Sequence, residues 1–421
     1  MNRKYLIYCV LILFFTAGCA KKPLTMVINT DNPMAQQFYE LNHQNSFWFI
    51  SKKSIKKAQE WLVELESANK YGIAFEKTQI DFISSALLNK NKITSSVRNG
   101  ADQQLTALVL NFIKELQEGK VHFDYDEVTV ARDSVYVNLL LNANPSETAK
   151  KMIAKLDCKS SDYQILRGFL NDSITPADTL KYKSVIKAMN YHRYFAVNDH
   201  SEYIVANIPE TKARYYRDNS LSIQMRTVVG RKKSPTPTIA SYITTIVTFP
   251  FWNVPRSIAV KEILPKVQKD ETYLEQNNLA VVDAKGVEVE ESELDWLEYT
   301  EKNFPYFFRQ STGARNALGV LKFDFENPYS IYLHSTSLQS AFQKEYRFLS
   351  HGCIRLEKPI DLAKSLLRGK LDIEELKTGK KDTESKKIEL PQKVPVFIIY
   401  SPVTVEGNNV TFLPDVYGLI K

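Results

Sequence analysis

The hydrophobic period of the chain changes near residue 200, and this change limits the folds that the chain can adopt. Before it, apolar residues recur at intervals of three and four, which is typical of helices with one buried face. After it, the apolar runs are short, rich in β-branched and aromatic residues and bounded by Gly, Pro and Asn, which is typical of strands. The sequence therefore predicts an α+β protein.

Two segments carry the helical period most clearly, and a series of short runs carries the strand pattern. The helical segments contain Ile55, Ala58, Leu62, Leu65 and Asn69, and then Leu105, Leu108, Val109, Phe112, Ile113 and Leu116. The strand runs cover residues 203–208, 221–229, 244–249, 330–333, 394–400 and 410–413. We predict a mostly helical scaffold domain over residues 36–200, followed by a β-rich domain, with a mixed sheet or a sandwich, over residues 201–421.

Residues 1–19 have the pattern of a bacterial lipoprotein signal rather than of folded structure. Arg3 and Lys4 precede an apolar run, residues 5–15, that is shorter than the roughly 20 residues of a membrane-spanning helix. Small residues then lead to Cys19, as in a lipobox, so we predict that Cys19 is lipidated and anchors the chain to a membrane. The alternative is an ordinary cleaved signal peptide in which Cys19 is incidental. Residues 20–35 are predicted to be a polar linker, and no later segment has the pattern of a transmembrane helix.

The composition excludes several classes of protein. The chain has 421 residues, of which 44% are hydrophobic, and this suits a globular protein with a buried core. Its formal net charge of +7 is spread without an aromatic-interleaved basic stripe, so no nucleic acid partner is expected. Cys9 and Cys19 belong to the N-terminal segment, which leaves Cys158 and Cys353, too few for a disulfide-rich scaffold.

The candidate catalytic residues lie between His334 and Cys353. A cysteine nucleophile needs a neighbouring base or cation, and His334 and His351 both lie within 19 residues of Cys353. Gly352 allows the close backbone approach that an oxyanion requires. From the residues alone, three alternatives stay open. Cys353 could form a disulfide with Cys158. The two histidines could bind zinc together with Cys353, or both could be hydrogen-bonded core residues.

One segment of the chain, Ser350-His351-Gly352-Cys353 with an upstream histidine, resembles the signature of YkuD-type L,D-transpeptidase catalytic domains. Further segments resemble the large, scaffold-bearing envelope members of this family: residues 225–230, 251–258, 309–313, 316–319, 395–400 and 415–418. The resemblance covers residues 200–421 strongly. The helical region resembles the scaffold domain of the same subgroup less specifically.

This resemblance implies roles for the residues of the site. Cys353 would be the nucleophile, His334 the general base and His351 a residue that lines the site and orients the donor. The amides of Gly352 and Cys353 would form the oxyanion hole. Four further residues would contact the substrate: Tyr332, Ser350, Arg347 and Arg355. The two arginines are equally suited to binding a substrate carboxylate and to holding the loop. No metal and no organic cofactor is implied.

The implied activity is a two-step acyl transfer between peptidoglycan stem peptides. Cys353 would attack the bond between the third residue of a donor stem and D-Ala, and an acceptor stem would resolve the thioester into a 3→3 cross-link. A lid over about 266–325 would exclude water. The implied location is the bacterial cell envelope, where the chain would be a lipoprotein that faces the periplasm.

Other functions share much of this machinery. Water as acceptor would make the chain an L,D-carboxypeptidase, and a lipoprotein lysine as acceptor would make it a wall-anchoring transferase. A catalytically weak wall-binding scaffold lipoprotein is the alternative from another class. A papain-like peptidase is disfavoured, because its cysteine precedes its histidine in sequence.

The chain departs from the family pattern in two places. The segment His334-Ser335-Thr336-Ser337 stands where the subgroup usually has His-Asp-Thr-Pro, so the surroundings of the base are expected to differ. Residues 151–185 are too short for the peptidoglycan-binding module that the subgroup often carries.

Overall fold

The structure is a computed structural model, and it describes residues 26–174, 177–198, 200–218, 220–369, 373–378 and 383–420. The predicted signal segment, with Cys19, lies outside the described residues. Within them, no helix combines the length and the apolar character needed to cross a membrane.

Helices dominate the chain up to residue 198, and shorter ones follow. Their bounds are α1 (Pro33–Leu41), α2 (Lys52–Glu66), α3 (Lys77–Leu88), α4 (Ser95–Glu118), α5 (Asp133–Leu141), α6 (Ala149–Leu156), α7 (Ser161–Asp172), α8 (Thr179–Asn198), α9 (Arg256–Ile258), α10 (Leu264–Val267), α11 (Tyr273–Gln276), α12 (Pro359–Leu366) and α13 (Ile373–Thr378). A capping box between Ser51 and Ser54 begins α2 by satisfying free N–H groups of its first turn. The predicted apolar stripe of α4 is buried. Asn69, predicted on the stripe of α2, lies in a 3₁₀ turn after that helix ends.

The described residues form two compact units, of which the first comprises residues 26–67, Phe75–Asn111 and Asp133–Met152. A buried carboxylate, Asp102, organises its interior. It accepts hydrogen bonds from the hydroxyls of Tyr39 and Ser46 and, at 2.9 Å, from the N–H of Trp48. Several donors around one carboxylate offset the cost of burying its charge.

The second unit comprises Ala68–Ala74, Phe112–Arg132 and residues 153–420, and it contains the strands. Their bounds are β1 (Tyr125–Asp126), β2 (Glu202–Asn207), β3 (Lys212–Arg217), β4 (Ser220–Gly230), β5 (Ile239–Thr248), β6 (Trp252–Asn253), β7 (Leu279–Val282), β8 (Glu288–Val289), β9 (Phe307–Gln310), β10 (Leu321–Phe325), β11 (Leu333–His334), β12 (Phe348–Ser350), β13 (Ile354–Leu356), β14 (Lys386–Ile399), β15 (Val403–Glu406) and β16 (Asn409–Phe412).

Eight strands close into a mixed barrel in the order β2-β3-β4-β13-β11-β10-β5-β14. The long strand β14 closes the ring, because it pairs in parallel with β2 and antiparallel with β5. The α+β prediction is confirmed, and the predicted sheet or sandwich is a closed barrel that leaves no free edge. Apolar side chains fill its interior, among them Ile243, Phe323, Leu333 and Ile354.

A segment inserted between β5 and β10, which we call the inserted segment, covers residues 252–310 and has a core of its own. Its strands form a separate sheet in the order β6-β9-β7-β8. Trp296, Phe304 and Phe308 are buried between this sheet and the short helices. The predicted lid extended to residue 325, but Leu321–Phe325 is strand β10 of the barrel.

The division into units differs from the predicted boundary at residue 200. Residues 112–132 and 153–198 belong to the unit that contains the barrel. Two contacts within that unit explain this. Strand β1 extends the sheet by pairing in parallel with β5, and the ring of Tyr194 in α8 packs edge-on against Phe397 in β14, with ring centroids 5.7 Å apart.

Candidate active site

The pairing of β11 with β13 brings the predicted base close to the predicted nucleophile. The two strands are parallel, so Leu333 lies opposite Ile354 and His334 lies opposite Arg355. Leu333 and Ile354 are fully buried in the barrel core. Side chains alternate along a strand, so His334 and Arg355 lie on the face opposite to Leu333 and Ile354. Cys353 precedes Arg355 by two residues and therefore lies on the same face as Arg355.

The Cys353 side chain is half-buried, and two oxygen atoms lie near its sulfur. The sulfur is 3.6 Å from the carbonyl oxygen of Ser330, and the Tyr332 hydroxyl hydrogen-bonds to it. Burial raises the pKa of the Cys353 thiol, although Tyr332, Lys322 and Arg355 each act to lower it. The thiol is therefore protonated at neutral pH and needs a base during nucleophilic attack.

His334 is buried and uncharged. Burial and the nearby charge of Arg355 lower the pKa of its imidazole to about 3. The ring meets Tyr332 edge-on, with centroids 5.6 Å apart, and it lies against the backbone of Ser335 and Leu318, which act to raise its pKa. A neutral imidazole has a lone pair that can accept a proton, but a pKa of about 3 makes it a weak base in the unliganded site, since general-base catalysis is best served by a pKa near the operating pH.

The serine after His334 serves the backbone rather than the chemistry. Ser335 is buried, and its Oγ donates to the carbonyl of Leu318 at 2.8 Å and accepts from the N–H of Leu321 at 3.0 Å. Gly319 makes this contact possible, since a Cβ there would come within 2.2 Å of the Ser335 Oγ. Ser335, which stands where the subgroup usually has aspartate, therefore holds the backbone of the strand that carries His334.

Hydrogen bonds among its own residues fix the loop before Cys353. Ser350 Oγ donates to the Cys353 carbonyl at 2.6 Å and accepts from the Gly352 N–H at 3.1 Å. Thr236 holds the Gly352 carbonyl at 2.7 Å. The Gly352 amide, predicted to line the oxyanion hole, is thus occupied by Ser350, and Ser350 positions the loop. Among the described residues, the Cys353 amide donates to no acceptor and is available to an oxyanion.

His351 occupies a different environment, at the surface. Its Nε2 lies 2.6 Å from Glu262 Oε1 and 2.5 Å from Arg231 Nη2. Glu262 lies in the inserted segment, 89 positions away in sequence, and no motif announces it. Sequence reasoning missed both partners of this histidine.

The two candidate arginines have different hydrogen-bond partners. Arg347 donates to the Thr211 hydroxyl at 2.6 Å and to the Lys344 carbonyl at 2.7 Å, so it holds the backbone rather than a substrate. Arg355 forms no ion pair within the described part of the chain, and its buried Nε has no hydrogen-bond partner. Burial lowers the pKa of Arg355. An unpaired guanidinium beside the thiol is suited to bind an anion.

A second cation, Lys322 in β10, borders the thiol and was also missed. It lies opposite His334, and its Nζ is 4.5 Å from the centre of the Tyr332 ring. Asp324 balances its charge at 2.7 Å. The alternation of these two polar residues with apolar ones along β10 is the sequence signal that could have placed them on the face of the site.

The structure bears on the two open alternatives for Cys353. Cys158 and Cys353 are both free thiols, which excludes the alternative of a disulfide between them. Cys158 is buried and lies 3.7 Å from the carbonyl of His192. Among the described residues, no group of three or more His, Cys, Asp or Glu side chains is arranged to hold a metal ion.

Two family models and a curated relative match the chain. The L,D-transpeptidase catalytic domain model, YkuD, matches residues 201–388, and the Scaffold domain model matches residues 34–170. The chain is 36% identical over 234 residues to a Haemophilus influenzae protein named "Putative L,D-transpeptidase", a match that covers 55% of this chain and 47% of the relative. The chain thus spans about half the length of this curated relative.

The solved structures that the chain matches include the Enterococcus faecium L,D-transpeptidase, at 13% identity and a TM-score of 0.23, covering 48% of this chain and 51% of that one. The Mycobacterium smegmatis L,D-transpeptidase gives 14% identity and a TM-score of 0.24, covering 47% and 58%. The assignment rests on the sequence matches. Residues 201–388 of the chain therefore form an L,D-transpeptidase catalytic domain, and residues 34–170, which precede it, form a Scaffold domain. Members of this family are cell-wall enzymes that act on peptidoglycan stem peptides.

Proposed function

We propose that the chain is a peptidoglycan L,D-transpeptidase that forms 3→3 cross-links through a thioester on Cys353. The observation that supports this most is the common face that holds Tyr332, His334, Cys353 and Arg355. It combines a thiol, a neutral base and an unpaired cation, which are the groups that acyl transfer from an anionic peptide requires.

The first step is acylation of Cys353. The sulfur attacks the carbonyl carbon of the third stem residue while His334 accepts the thiol proton. The Cys353 N–H donates to the oxyanion of the tetrahedral intermediate. The C–N bond to D-Ala then breaks, His334 returns the proton to the departing amine, and a thioester remains.

The second step transfers the acyl group to an acceptor stem. A side-chain amine attacks the thioester carbonyl and gives a proton to His334. The C–S bond breaks, and the sulfur takes that proton back as the thiol re-forms. The same base and the same oxyanion donor act in both steps, so one site performs the whole cycle.

Recognition of the donor is assigned to Arg355 and Tyr332. The Arg355 guanidinium would pair with a carboxylate of the stem, since its planar fork matches two carboxylate oxygens. Displacement of water by the peptide would strengthen this pairing. The inserted segment is proposed as the lid that limits hydrolysis of the thioester.

The location belongs to the same proposal. We place the chain in the cell envelope, facing the periplasm and anchored through lipid on Cys19. The support is the sequence of residues 1–19. Extraction of the full chain into a detergent phase, and its loss in Cys19→Ala, would test the anchor.

The direct test of the activity is incubation of the full chain, purified in detergent, with disaccharide tetrapeptide, followed by mass spectrometry of the products. A dimer linked between third residues, absent with Cys353→Ala, is the expected result. Disaccharide tripeptide without dimer would make water the acceptor and the chain a carboxypeptidase. Unchanged tetrapeptide, with the protein folded, would refute the proposal and favour a wall-binding scaffold.

A further inference from the structure

A carboxylate from the inserted segment meets the loop of the nucleophile. Glu262 lies in a π-helical turn, Ala259–Ile263, between α9 and α10. Such turns widen a helix locally and are frequent at functional sites. Its Oε1 lies 2.6 Å from His351 Nε2 and 3.0 Å from Arg231 Nη2, so one oxygen is the common acceptor for both residues.

Arg231 extends this contact to the backbone of the loop. It follows strand β4, and its N–H donates to the Ser350 carbonyl at 2.9 Å. The Ser350 hydroxyl in turn holds the Cys353 carbonyl. Glu262 therefore links the inserted segment to the end of β4 and to the loop that carries the nucleophile.

The carboxylate is charged in this cluster. Burial opposes the charge, but hydrogen bonds from His351 and Arg231 outweigh it, so the pKa of Glu262 lies below its ordinary value. Loss of this charge would leave Arg231 and His351 facing each other with no anion between them. The inserted segment would then lose its charge-assisted contact with the loop and could shift away from it.

The inserted segment also reaches the site at its other end. The Trp252 side chain hydrogen-bonds to the hydroxyl of Tyr332, the residue that contacts the thiol. Two contacts, from Trp252 and from Glu262, therefore hold the segment beside Cys353. The Trp252 contact reaches a substrate-facing residue, whereas the Glu262 contact reaches only the loop.

We propose that Glu262 is a positioning residue that holds the inserted segment against the His351–Cys353 loop in the conformation that accepts the donor peptide. This inference rests on the proposed function of Cys353. Glu262 touches neither the thiol nor the base, so it acts on the fit of a large acyl donor and not on the reactivity of the sulfur.

The test compares two reagents on the full chain in detergent. A carbapenem must enter the cleft to acylate Cys353, whereas iodoacetamide is small and reports only the reactivity of the thiol. Glu262→Gln is expected to lower the second-order rate of carbapenem acylation by about tenfold, the usual worth of a charge-assisted hydrogen bond. Its iodoacetamide rate is expected to stay within about twofold of wild type. Glu262→Asp, which keeps the charge, should recover part of the loss.

The matched control is Glu301→Gln, which removes an exposed ion pair with Lys261 in the same inserted segment and should change neither rate. Equal carbapenem rates for wild type and Glu262→Gln would overturn the inference and leave the proposed function intact. Equal falls in both reagents' rates would also overturn it, because the thiol itself would then have changed. A wild type that no carbapenem acylates would defeat both proposals.

Discussion

The two histidines near Cys353 in sequence occupy opposite environments. His334 lies on a barrel strand, where it is buried and neutral. His351 lies on the surface loop and is held by Glu262 and Arg231. An imidazole that other groups already hold is fixed in orientation, whereas one kept neutral beside a thiol can accept its proton. We therefore assign the role of general base to His334 and a positioning role to His351.

The same contrast distinguishes the two arginines. Arg347 donates hydrogen bonds to a hydroxyl and a carbonyl of the protein. The Nε atoms of both arginines lack a hydrogen-bond partner, but no side-chain hydrogen bond or ion pair holds the rest of the Arg355 guanidinium among the described residues. Burying an unpaired charge costs stability, and a site where that cost is tolerated is often one that a ligand completes.

The largest expected effect separates the histidines. His334→Gln should lower the rate of carbapenem acylation of Cys353 by about 10²–10⁴, because the thiol loses its base. His351→Gln should lower it only about tenfold, since it loses orientation alone. Stopped-flow absorbance would measure both rates. Similar losses of rate in the two variants would show that the two histidines do not differ in role.

The arginines provide the next effect. Arg355→Met should lower kcat/KM for a tetrapeptide donor by about 10–100-fold, as expected for loss of a charge-assisted pair of about 1.5–3 kcal/mol. Arg347→Met should leave kcat/KM unchanged but lower the free energy of unfolding by about 1–3 kcal/mol, because the buried Thr211 hydroxyl loses its donor. Steady-state kinetics and urea unfolding would measure the two quantities. The reverse pattern would exchange their roles.

A smaller effect concerns stability and pH. The pKa of His334 is lowered to about 3 in the folded chain, so on acidification the unfolded state takes up a proton before the folded state does. Stability from this group is therefore lost as pH falls from about 6.5 towards 3, and the loss between pH 7 and pH 5 is about 2 kcal/mol. Urea unfolding of wild type and His334→Gln at both pH values would show it. An identical pH dependence in the two proteins would place a charged imidazole in the folded state.

The sequence predicted what local pattern encodes. The buried stripe of α4 follows from its period, and the loop from Ser350 to Cys353 follows from its motif. Barrel closure could not be predicted, because it depends on β14 pairing with both β2 and β5 over long separations. Arg347 and Arg355 are alike in sequence, and only their tertiary partners distinguish them. The role of Glu262 could not be predicted for the same reason, because it depends on a tertiary contact with His351.

The central claim is that Cys353 is an activated nucleophile, and the intact mass of the full chain after incubation with a carbapenem tests it most directly. We expect one covalent adduct on wild type and none on Cys353→Ala. A folded wild type that keeps its own mass, with the Cys353 thiol shown to be free, would contradict the account. Equal modification of wild type and Cys353→Ala would contradict it as well.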